Sequence, residues 1–160
     1  MPKQRIEIVG RRDVLIGAAA ALALTALLGS GRAGAQDVAA SGRLEEALSK
    51  ILGTARPTQA RMSLELPEIA ESGNTVPYAI LVDSPMTEQD YVRAVHVLAG
   101  ANPLPSIASF FFTPASGKAQ VGSRMRLARS QDVLAVAELS DGQFLIGRRS
   151  VKVTIGGCGG

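Results

Sequence analysis

Between Arg61 and Ile155 no apolar pattern runs long enough to build a helix, and this restriction narrows the folds open to the chain. Seven short segments rich in β-branched and aromatic residues follow one another instead, at 61–66, 76–83, 91–98, 106–113, 119–128, 133–139 and 143–155. The breaks between them, "ESGN", "SPMTEQD", "GANPLP", "PASGK", "RSQD" and "SDG", each carry Gly, Pro, Asn or Asp, the residues that turn a chain. Strands at this spacing predict an all-β protein, an antiparallel β-sandwich.

Two segments indicate a buried face. Ala119, Val121, Met125 and Leu127 alternate with Gln120, Arg124 and Arg126, so one side of that strand packs and the other meets water. In the last segment the apolar residues change parity, from Phe144 and Ile146 to Val151, Val153 and Ile155, which predicts a bulge near Gly147. Asp141-Gly142 predicts a two-residue hairpin turn before it. Ahead of the strands, "QDVAASG" reads as a flexible start. Ser41 then caps one short helix carrying Leu44, Leu48, Ile51 and Leu52 on one face, with Gly53 ending it.

The first 35 residues have the three parts of an export signal: a basic start (Lys3, Arg5, Arg11, Arg12), an apolar run at 14–28, and Ala33-Gly34-Ala35 as a cleavage pattern. The pair Arg11-Arg12 resembles a twin-arginine signal, with Gly10 and Val14 at positions where Ser or Thr and Phe are commoner. The apolar run has 15 residues, short of the roughly 20 a membrane anchor needs. No cysteine follows it to take a lipid. Cleavage after Ala35 and a periplasmic location are therefore expected, with no stable membrane anchor.

Cleavage also removes the excess positive charge. Five of the 17 basic residues and two of the 14 acidic ones lie in residues 1–35, leaving 12 of each. A neutral mature chain gives no reason to expect nucleic acid as a partner. The domain plan is then 1–35 signal, 36–58 flexible start and helix, 59–155 sandwich, and 156–160 tail.

That tail reads Gly156-Gly157-Cys158-Gly159-Gly160, and Cys158 is the sole cysteine of the chain. One thiol makes no internal disulfide and no paired-cysteine zinc site. Glycine without Cβ gives a slim arm with free dihedrals, and five extended residues reach at most about 17 Å. Catalysis by the thiol itself needs a neighbouring base, cation or helix N-terminus. The nearest basic residue in sequence, Lys152, is six positions back. No catalytic residue and no metal ligand is assigned, and Cys158 reads as a covalent attachment point on a swinging arm. Two other readings stay open: a structural sandwich that dimerises through Cys158, and a thiol-redox protein, which would lack a resolving cysteine. His96 is given no role, while Arg124, Arg126, Arg148 and Arg149 are candidates for a partner-docking face or for a plain solvated one.

The ending "VKVTIGGCGG", with "ESGNTVPYAILVDSPM" and "FFFTPASGKAQVGSRMRLA" before it, resembles SoxY, the sulfur-carrier family of the bacterial thiosulfate-oxidising Sox system. The resemblance implies an immunoglobulin-like sandwich with Cys158 carrying sulfur intermediates, and a heterodimer with SoxZ. It also implies transient contacts with a c-type cytochrome complex, a manganese-dependent hydrolase and a sulfur dehydrogenase. Haem and manganese then belong to those enzymes, and no cofactor to this chain.

Overall fold

The computed structural model describes residues 32–157. Contacts divide the chain into Met1–Gln36 and Asp37–Gly160, and of the first unit only the helical residues 32–36 are described.

Helix α1 spans Arg32–Leu52. It runs straight through Ser41, so neither the flexible start nor the Ser41 cap holds. Ala33, Ala35, Ala39, Ala40 and Ala47 explain the difference, since alanine is the strongest helix former and the segment needs no later start. Its end is where the sequence puts it. Gly53 takes a positive φ of 57° and its amide donates to the carbonyl of Ser49 at 2.9 Å.

Eight strands follow: β1 Met62–Glu65, β2 Ile69–Ser72, β3 Val76–Val82, β4 Val92–Ala99, β5 Ser106–Phe111, β6 Ala119–Met125, β7 Gln131–Leu139 and β8 Phe144–Ile155. They form a three-stranded sheet ordered β1-β3-β6 and a five-stranded sheet ordered β2-β8-β7-β4-β5. The fold is thus the expected immunoglobulin-like sandwich. All seven expected segments are strands.

β2 was not expected, and it pairs with β8 in parallel through Ile69, Ala70 and Ser72. Pro67 has no N–H to continue the β1 ladder, and the chain crosses there from one sheet to the other. With four residues and only Ala70 buried, β2 carries almost no periodic signal. The ladder between β7 and β8 is uninterrupted from Gln131 opposite Val151 to Glu138 opposite Phe144, so there is no bulge at Gly147. The parity change has another cause: both faces of the five-stranded sheet are covered. Leu145 and Val151 join the core between the sheets, together with Tyr78, Ile80, Val97, Val121, Leu127, Val133 and Ala135. Phe144 and Ile146 point to the opposite face, where Leu98, Leu134 and Val136 pack beneath Leu44, Leu48, Ile51 and Leu52 of α1.

The hairpin before β8 has three loop residues rather than two. Leu139 N–H donates to the Gln143 carbonyl (2.9 Å), Gly142 N–H returns to the Leu139 carbonyl (3.1 Å), and Gly142 has φ 82°. This is a turn followed by a left-handed residue.

Candidate functional site

The tail leaves the sandwich beyond β8, and the described part of it is held. Gly73, in the turn between β2 and β3, donates its N–H to the Ile155 carbonyl at 2.7 Å, and its own carbonyl accepts from Leu127 N–H at 2.8 Å. The Leu127 carbonyl in turn accepts from Gly157 N–H at 2.9 Å. Three backbone bonds therefore join the end of β8, the β2–β3 turn and the chain just past β6.

Such an approach requires glycine. A Cβ on Gly73 would lie 2.1 Å from the Leu127 carbonyl oxygen and 2.7 Å from Gly157 N; on Gly156, 2.3 Å from the Ala128 oxygen; on Gly157, 2.7 Å from the Gly73 oxygen. Real side chains do not come so close to backbone. Gly156 and Gly157, read from the sequence as freely moving arm, are correctly glycines but for the opposite reason: they are clamped. Ile155, read as the last anchoring side chain, is 67% exposed, and it is its carbonyl that holds.

The loop that grips Gly157 is itself fixed from behind by Asn102, which is 0% exposed. Its Nδ2 donates to the Arg126 carbonyl at 2.8 Å. Its Oδ1 accepts from Ala128 N–H at 2.9 Å and from Gln131 Nε2 at 2.8 Å. Leu127, between the two bonded residues, is fully buried. Gln131 Oε1 accepts from Ala101 N–H at 2.6 Å and closes the network. A buried amide with both ends satisfied is rigid, and leaving any of these partners unpaired is costly. The sequence offered "ESGN" and "GANPLP" only as turns; an isolated Asn in a Gly-Pro-rich break gives no signal of a burial reached through folding.

Cys158, Gly159 and Gly160, and Arg11 and Arg12, lie outside the described residues; Ala33 and Ala35 lie in the first turns of α1. The four arginines do not make one face. Arg148 stands opposite Leu134 and Arg149 opposite Val133, on opposite sides of their sheet. Arg149 Nε donates to the Leu64 carbonyl at 3.2 Å, linking the sheets, whereas Arg148 lies 3.8 Å from Asp132 in an exposed pair. Arg124 belongs to the other sheet. His96 shares a 2.8 Å hydrogen bond with Ser109 and meets Phe111 edge-on. Desolvation pushes its pKa below the ordinary 6.5, against a smaller upward pull from Glu138. Among the described residues no three His, Cys, Asp or Glu gather to hold a metal ion.

Among solved structures, the sulfur carrier protein SoxY from Chlorobium limicola f thiosulfatophilum is similar at TM-score 0.62 and 25% identity, covering 74% of this chain and 98% of that one. The superoxide reductase (neelaredoxin) of Ignicoccus hospitalis shares the fold at TM-score 0.53 and 16% identity, over 59% of this chain and 80% of that one. A search of curated proteins gave no match. The family of sulfur oxidation protein SoxY matches residues 48–158, from within α1 through the sandwich to the terminal cysteine. On that match the chain belongs to the SoxY family.

Proposed function

We propose that this chain is a covalent sulfur carrier of thiosulfate oxidation, with Cys158 as the attachment site and no catalysis of its own. The observation that carries the reading is the extent of the family match, which ends on Cys158 itself. A structure in that family is described as a sulfur carrier. The clamp at Gly157 adds support, because it fixes the residue from which the Cys158 segment departs.

In the first step the Cys158 thiol and thiosulfate form an S–S bond. The thiol proton is released, and two electrons pass to an acceptor, expected to be the c-type cytochrome complex. The product is a cysteine S-thiosulfonate. Water then attacks the terminal sulfonate sulfur, expelling sulfate and a proton and leaving a persulfide on Cys158, a step for the manganese-dependent hydrolase. A sulfur dehydrogenase, where present, would take six electrons from the persulfide's outer sulfur and pass them to a cytochrome acceptor, three waters supplying the oxygens and seven protons leaving. Hydrolysis of the resulting S-sulfonate by a further water releases sulfate and a proton and restores the thiol. The carrier supplies a thiol held at high effective concentration for each enzyme. It works in the periplasm after twin-arginine export and cleavage at Ala35, as a heterodimer with SoxZ.

Intact-mass spectrometry of the protein from cells grown on thiosulfate tests this reading. The expected result is added sulfur or thiosulfonate mass on the C-terminal peptide, removed by reductant and missing from Cys158→Ser. An unmodified thiol, or only a disulfide-linked homodimer, overturns it in favour of a structural sandwich.

A further inference from the structure

The tail is held as far as Gly157, and Gly73 is the residue on which that hold converges. We propose that Gly73 is a positioning residue for the sulfur-carrying thiol, an inference that rests on the carrier reading. Gly73 faces three ways at once. Its N–H holds Ile155, its carbonyl holds Leu127, and its missing side chain leaves the space that Gly157 fills. Leu127 completes the grip by accepting from Gly157 N–H at 2.9 Å, and Asn102, bonded to Arg126 and Ala128, keeps Leu127 from moving away.

The consequence for carriage is geometric. Chain connectivity keeps successive Cα atoms roughly 3.8 Å apart, so the segment bearing the thiol departs from a fixed point beside the β2–β3 turn and the chain following β6. An enzyme that receives the thiol meets those two segments with it. Freeing the tail back to Ile155 adds two residues whose dihedrals each docking event must order again. Tight binding then weakens although the thiol and the sandwich are unchanged.

Three variants separate the parts. Gly73→Ala puts a methyl group where Leu127 and Gly157 stand. Gly157→Ala attacks the same contact from the chain end, beyond the last strand, so it leaves the sandwich intact even where Gly73→Ala does not. Gly122→Ala is the control, since a Cβ there meets nothing within 4 Å. Amide exchange at Gly157 reads the clamp directly. In the wild-type mature protein it is expected at least about tenfold slower than in an open chain, and at the open-chain rate in Gly73→Ala. Loading is then followed by intact mass, adding purified protein and thiosulfate to periplasmic extract from cells that lack this chain.

At low carrier concentration Gly73→Ala and Gly157→Ala are expected to load about tenfold more slowly than wild type, with the rate at saturating carrier much less affected. Gly122→Ala loads as wild type. A Gly157 amide that exchanges at the open-chain rate in wild type overturns the clamp. Undiminished loading by both variants, with the amide at position 157 freed in each, overturns the positioning role while the carrier reading stands. No loading of wild type, with Gly157 protected, overturns the carrier reading and the positioning role with it, and leaves the clamp as a purely structural feature.

Discussion

Asn102 does for the loop beyond β6 what no turn residue does by propensity: it makes three side-chain hydrogen bonds from a position with no solvent exposure. Asn102→Ala removes the side-chain partner of Arg126 O and Ala128 N–H in a partly buried loop, which costs about 1–3 kcal/mol, and urea unfolding should show that loss. Asn102→Asp keeps the acceptor but loses the donor to Arg126, and should fall between the two. His96 gives a pH-dependent prediction. Its pKa is held below 6.5 in the folded protein, so the unfolded chain takes up the proton first and folding stability rises with pH through that window. Wild type should therefore lose stability relative to His96→Gln as pH falls from about 7.5 to 5, as thermal unfolding at matched ionic strength would record. Gly73 and Asn102 share one lesson about reading sequence. Each occupies a break where the residue type fits a turn equally well, and the partner that gives it meaning lies tens of residues away.

At the scale of elements, the five-stranded sheet carries an apolar cluster on each face, and the second is covered by α1. Placing charge in that contact with Leu48→Asp and Ile51→Asp should strip the helix from Leu98, Leu134 and Val136. The expected loss is about 3 kcal/mol or more, with new binding of a hydrophobic dye and faster proteolysis at residues 32–53. Sequence periodicity placed seven strands and the end of α1 well, because each is written in neighbouring residues. It failed at β2, where four residues with one buried side chain leave no pattern. It failed again in β8, where the change of parity from Ile146 to Val151 marks a change of neighbour rather than a kink. Period-two alternation tells which residues are covered, but not by what.

Across the whole molecule, the candidate site was legible as a residue and illegible as a place. Cys158 and its glycines announce themselves at the end of the sequence, while the backbone clamp that holds Gly157 is assembled from residues 73, 102, 127 and 155, brought together by both sheets. Truncation after Ser150 removes Val151, which is buried between the sheets, and the residues that pair with β2. The shortened chain should lack a cooperative thermal transition, as calorimetry would show.

β8 is interior to its sheet, flanked by β7 on one side and β2 on the other, although it is the last strand to be made. During synthesis β7 can already pair with β4, but β2 has no sheet partner until β8 is made, so the five-stranded sheet closes only then. A folded molecule of this kind is therefore one whose chain has been made at least through β8. Any system that inspects foldedness before accepting the protein checks, without touching the thiol, that the chain was built to within a few residues of it.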